Sequence, residues 1–172
     1  MASLFGHGFA AIVVSKLGRS NGLLLCLAIV SAIIPDADVL SFEFGISYHS
    51  MWGHRGITHS ILFAVIWSLL LSITLGKKQK LKFFIVLFIA TISHSLLDAM
   101  TSGGLGVALW APFDNTRIFF PFRPIRVSPL GVANFFTERA FVVLYSEAIW
   151  IAIPGTILLG LSYLIKKIKN DD

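Results

Sequence analysis

Residues 51–75 read "MWGHRGITHSILFAVIWSLLLSITL". Two histidines and an arginine stand directly before fifteen residues whose only polar side chains are Ser68, Ser72 and Thr74. An apolar run of that kind belongs in hydrocarbon, and the ionisable groups at its mouth are the ones hardest to solvate there. The rest of the chain repeats the pattern. Of 172 residues, 56% are hydrophobic and 13% charged, and the mean hydropathy is +0.82. A soluble domain of this length needs far more polar surface, so composition predicts an integral membrane protein with one domain over residues 1–172. The apolar runs lack the strict alternation of a membrane β-barrel, which leaves an all-α helical bundle.

The runs predict helices over about residues 7–18, 22–34, 57–75, 81–100 and 137–168. Pro35 is expected to end the second and Pro154 to kink the last. Crossing ~30 Å of hydrocarbon takes about 20 helical residues. The three later helices therefore read as long membrane helices, and the first two as a short N-terminal hairpin. Residues 101–136 are rich in Gly, Pro and aromatics and read as an ordered cap at the membrane surface. "FFPF" and "LWAPF" in it fit an interfacial aromatic belt. Cys26 lies inside an apolar run and reads as a core thiol. Residues 1–6 have neither a basic region nor a small-residue cleavage site, so no cleavable signal peptide is expected.

Charge sorts by helix end. Tracing the helices alternately up and down places all eight lysines and Arg19 at one end. The five histidines, Asp36, Asp38, Asp98, Glu138 and the other five arginines fall at the opposite end. The positive-inside rule makes the lysine end cytoplasmic and the histidine end extracytoplasmic. No basic–aromatic interleaving suggests nucleic acid, and nothing specifies an oligomeric interface.

At 1.5 Å per residue, His94 stands roughly 18 Å and Asp98 about 24 Å above Lys82. Asp36 is roughly 22 Å above Asn21, and His59 about 27 Å above Lys77. Groups from separate segments thus reach one level near the edge of the hydrocarbon. In "SHSLLDA", His94 and Asp98 are four apart and share a helix face, so one ion can hold both. In "IPDADVL", Asp36 and Asp38 follow a helix end. In "GHRGITHS", His54 and His59 flank Gly56, which lets the backbone bend. Imidazoles with carboxylates suit zinc or, alternatively, manganese. Glu147 matches in depth but reads equally as a buried hydrogen-bonded acid; Glu43 and His49 read as exposed loop residues.

These pieces, with "GH" at 6–7, "SHSLLDAMTSGG" at 93–104 and "ERAF" at 138–141, resemble the YdjM-like family. That family comprises membrane-bound, predicted metal-dependent hydrolases whose founding members are controlled by the LexA repressor. The order His, Asp, His, His-x-x-x-Asp is also similar, more distantly, to zinc-dependent phospholipases C. The resemblance implies His7, Asp36, His59, His94 and Asp98 as metal ligands, and the family pattern adds Glu138. No histidine follows His94, so a second His-x-x-x-Glu is missing and one or two ions are implied rather than three.

The function expected is hydrolysis of a membrane-lipid phosphoester at the extracytoplasmic interface. Asp38 is expected to orient or deprotonate water, with His54 also catalytic and Arg55 holding phosphate together with Arg117, Arg123 and Arg126 of the cap. The alternatives are a metal-stabilised scaffold without activity, a transporter component, and a membrane peptidase. The apolar segments 61–75 and 83–92 offer no continuous polar path for transport, and no His-Glu-x-x-His pair marks a peptidase.

Overall fold

The computed structural model describes residues 1–129 and 138–171. Among them the chain is all-helical, with no β-strand beyond two isolated bridges. Helix α1 spans Leu4–Leu17 and α2 Gly22–Ile33. Helix α3 spans Ile61–Leu75 and α4 Lys80–Ala99. After the cap come α5, Glu138–Glu147, and α6, Ile153–Asp171. Side-chain caps set the starts: Ser3 accepts from Gly6 N, Asn21 from Leu24 N, and Ser60 from Phe63 N. Each satisfies an amide that the helix itself leaves unpaired.

Helices α1, α2, α3 and α4 pack on one another, and the last helix leans on α1. The shared core is Ala11, Leu24, Ala28, Ala32, Phe83, Val86, Leu87 and Ala90. In a bilayer the lipid is as apolar as the core, so small residues that let backbones approach count for more than hydrophobicity. Gly18 illustrates this: an added Cβ would lie 2.6 Å from Val86 Cγ2. The buried hydroxyl of Ser31 accepts from Trp67 Nε1 at 3.0 Å and ties α3 to α2. Cys26 is exposed on the outer surface rather than in the core, because Leu24 and Ala28 take the inward face of α2.

Three helices are long and apolar enough to cross a membrane: Gly22–Phe44, Lys77–Ala99 and Glu138–Asn170, of 23, 23 and 33 residues. The first differs from the sequence expectation. The α-helical part ends at Ile33, directly before Pro35 as expected, but the chain runs on as a 3-10 helix, Ile34–Phe44, with proline in its first turn. A ring nitrogen without a proton costs nothing there, since first-turn amides have no intrahelical acceptor. Conversely, the helix expected over 57–75 begins only at Ile61 and has 15 residues, residues 57–59 forming a separate 3-10 turn. The short helices are therefore α1 and α3. In the last helix the irregularity is a π-turn, Ala148–Ala152, just before Pro154.

The charge sorting holds in three dimensions. Lys82 Nζ donates to Arg19 O at 2.6 Å, and Arg19 shares a shallow surface pocket with Lys166 and Lys169. At the other end, residues 101–129 form an ordered cap. Backbone bonds link Ala108 N to Arg55 O, Ile61 N to Leu109 O, and Phe120 N to Ala99 O. Residues 130–136 of the expected cap lie outside the described residues.

Candidate metal centre

Four segments deliver donor atoms to one point. Asp36 stands in the first turn of the 3-10 extension of α2, and His59 ends the turn Ile57–His59. His94 and Asp98 project from one face of α4. One donor each from Asp36, His59, His94 and Asp98 lies within 4.8 Å of all the others. His59 Nε2 is 3.0 Å from His94 Nε2, 3.7 Å from Asp36 Oδ1 and 3.8 Å from Asp98 Oδ2. His94 Nε2 is 3.4 Å from Asp36 Oδ1. Zinc with donors at about 2.0–2.1 Å separates them by roughly 3.3 Å in a tetrahedron, so these spacings fit a single ion.

The hydrogen bonds fix which ring nitrogens face that point. His94 Nδ1 lies 2.7 Å from the Ala32 carbonyl, which only accepts, so Nδ1 carries the proton. His59 Nδ1 lies 3.1 Å from Asp38 Oδ2, with the same consequence. Both Nε2 atoms then present lone pairs to each other at 3.0 Å. That contact is repulsive unless a cation sits between them or one ring carries a second proton. Asp36 Oδ1 and Asp98 Oδ2, also aimed there, are buried without a hydrogen-bond donor. Buried carboxylate oxygens left in this state are costly, and a divalent ion satisfies all four donors together.

His7 joins the cluster at its edge. Its ring stacks on His94 with centroids 3.8 Å apart, and its Nε2 is 3.4 Å from Asp98 Oδ1. Both ring nitrogens are buried without a hydrogen-bond partner. Asp98 Oδ1 also accepts from Ala2 N at 2.7 Å.

Around this set lies a layer that orients it. Asp38 Oδ1 is 2.6 Å from His54 Nδ1, while Oδ2 accepts from Arg55 N at 3.0 Å and Thr58 Oγ1 at 2.6 Å, besides facing His59. A carboxylate so fully engaged contacts two histidines, a backbone amide and a hydroxyl, and acts on water only through them. Burial disfavours charge on His59, but Asp36 and Asp38 outweigh it and raise the pKa to about 9, so without an ion His59 carries the second proton that relieves the contact with His94 Nε2. For His54, burial dominates and lowers it. Gly53 and Gly56 make the tight path between these groups: a Cβ on Gly53 would strike Ser47 O, and one on Gly56 would strike Met51 O.

Arg55 was expected to hold phosphate. Instead it is fully buried, and its guanidinium is engaged by protein. Nε lies 3.0 Å from Asp98 Oδ2 in an ion pair without hydrogen-bond alignment, and the terminal nitrogens donate to Gly103 O and Thr101 Oγ1 at 3.0 and 3.1 Å. It compensates the charge of Asp98 and holds that side chain in place. Gly104, with φ +91°, is needed for this fit, since a Cβ there would lie 2.7 Å from an Arg55 terminal nitrogen. Arg117 differs from expectation in the same way: it donates to the carbonyls of His54, Tyr48 and Ser50 at 2.7–3.0 Å and clamps the loop. Arg123 is exposed over the Phe119 ring, and Arg126 is exposed beside a small pocket with Ser102 and Val142.

Glu138 is exposed at the start of α5 and belongs neither to the four-donor cluster nor to the Asp38–His54–His59 group beside it. Glu147 is buried and accepts from Ser3 N and Ser3 Oγ, each at 2.5 Å, pinning the start of α1. Glu138→Ala is expected to leave metal content unchanged; metal loss in that variant would restore it as a ligand. Glu43 and His49 are exposed, as expected. Thr58 and Thr101 escaped the sequence reading, although both stand inside the motifs "GHRGITHS" and "SHSLLDAMT". The Ala32 carbonyl has no sequence signal at all.

The fold and this centre define a multi-pass helical membrane protein with a buried histidine–carboxylate cluster. The family model described as YdjM inner membrane protein matches residues 3–170, and the chain belongs to that family. It is 39% identical over 142 residues to the inner membrane protein YbcI of Escherichia coli strain K12, covering 80% of this chain and 82% of that protein. No solved structure matches. Family and apolar spans together make this a bacterial inner membrane protein.

Proposed function

We propose that the chain is a metal-dependent hydrolase acting on the phosphoester of a membrane lipid. The observation that carries this is the Asp38–His54 pair, 2.6 Å apart, set beside the four converging donors. A purely structural ion needs oriented ligands but no such proton-transfer pair next to it.

Asp36, His59, His94 and Asp98 would hold the ion, zinc or manganese by donor chemistry. When bound, such an ion polarises a phosphoryl oxygen and acidifies water. Asp38 holds the Nδ1 proton of His54, which leaves a lone pair on His54 Nε2 to accept a proton from the attacking water. Arg126 and Arg123, exposed on the cap, bind the phosphate in place of Arg55 and Arg117; arginine's planar fork suits that anion. The extracytoplasmic placement of this end rests on the lysine bias at the other.

The test is release of water-soluble phosphorylated headgroup from phosphatidylglycerol and phosphatidylethanolamine in mixed micelles. Metal-loaded protein is expected to turn over, and His54→Gln to lose about 10²–10⁴-fold in kcat with its metal retained. Turnover that persists after the metal is stripped, or in His54→Gln, would contradict the reading. One observation favours a scaffold instead: four protein donors fill a tetrahedron, as in structural zinc sites. Metal bound tightly by a protein inactive on every lipid phosphoester would decide for that alternative.

A further inference from the structure

We infer that the groove between α1, the end of α2 and the π-turn of the last helix holds one hydrocarbon chain of the lipid substrate. The inference rests on the hydrolase reading for the word substrate, but not for the groove.

The groove encloses about 500 Å³ and is walled by apolar side chains, among them Phe5, Phe9, Ile33 and Ile151. That volume is in the range of ligand sites, about 300–1,000 Å³. Its concavity has local causes. Gly8 leaves open space where a Cβ would stand, with nothing within 4 Å. Opposite, Ala148 and Ala152 bound the π-turn, an irregularity that is frequent at functional sites. Elsewhere the outer surface of the helices carries large side chains such as Leu69, Leu70 and Ile157, all more than 45% exposed.

The occupant follows from where the groove lies. Two of its walls belong to segments long and apolar enough to span a membrane, so what fills it is lipid hydrocarbon. Its upper end abuts the metal centre. Ile33 follows Ala32, whose carbonyl orients His94. His7, which stacks on His94, stands between Gly6 and Gly8 of the groove wall. Glu147 lines the groove and binds Ser3, next to the Ala2 amide that binds Asp98. A chain lying here ends its lipid at the depth of the centre. Since bulk lipid is equally apolar, the hydrophobic effect does not select this groove over the bilayer; van der Waals fit and the tethered headgroup do.

The experiment is photolabelling in bilayers with phosphatidylglycerol carrying a diazirine midway along one acyl chain, read by peptide mapping. Wild type is expected to be labelled chiefly at Phe9, Ile33 and Ile151. Gly8→Trp and Ala148→Trp, which project into open or exposed positions, are expected to lose that labelling while keeping metal content and monodispersity. Labelling spread equally over Leu69, Leu70 and Ile157 would mean annular lipid only and overturn the inference. So would groove labelling that survives in both folded variants. Groove labelling in a protein without metal or turnover would instead keep the groove and remove the hydrolase reading.

Discussion

Asp98→Ala is expected to unfold or severely destabilise the protein as well as abolish metal binding. Asp98 is fully buried and faces Arg55 Nε at 3.0 Å, Ala2 N at 2.7 Å and His7 Nε2 at 3.4 Å. Removing it leaves a buried guanidinium without its counter-charge, which typically costs about 3–5 kcal/mol. Thermal unfolding in detergent measures this as a large fall in midpoint. Asp98→Asn separates the two roles. The amide keeps the shape and can still accept from Ala2 N, so its midpoint should fall less, yet it loses the anionic donor and with it the ion. A midpoint unchanged in Asp98→Ala would mean that the Arg55–Asp98 pair contributes nothing to the fold.

Asp38→Ala is expected to weaken metal affinity by about 10–100-fold, the usual cost of removing a group that orients ligands. Asp38 is not one of the four donors that converge on one point. Its oxygens hold His59 Nδ1, His54 Nδ1, Thr58 Oγ1 and the Arg55 amide. Without it, His59 is free to change tautomer or rotate, and the turn 54–58 loses its common acceptor. Competition against a chelator of known affinity reads the loss. A variant with wild-type affinity would show that Asp38 orients nothing the ion needs. A stronger loss than His59→Ala would make it a ligand itself.

Part of this site is plain in the sequence because helices have fixed geometry. His94 and Asp98 at i and i+4 must share a face, and counting residues from the lysine end gives the depth of Asp36 and His59. Depth alone does not distinguish a ligand from a strut. Arg55 stands between two histidines in "GHRGITHS" and reads as a phosphate anchor, but its φ of +63° turns it into the protein, where Thr101 and Gly103 wait. Those partners come from the irregular cap, whose path no periodicity encodes. Glu138 and Glu147 show the same limit. One has the family motif and the other the depth, and only the packing of the last helix on α1 shows that Glu147 meets Ser3. Pro35 is half legible: it marks the end of the α-helix, but residue type does not tell whether the chain then turns away or runs on as a 3-10 segment.

The most direct test of the central claim is elemental analysis with X-ray absorption on detergent-purified protein, wild type beside His94→Ala. His94 contributes a donor, and its loss, unlike that of Asp98, leaves the Arg55–Asp98 ion pair in place. The account predicts about one zinc or manganese ion per chain, in a mixed nitrogen and oxygen environment, and its loss in His94→Ala. Wild-type protein that is folded, monodisperse and metal-free after zinc and manganese have been resupplied would contradict it.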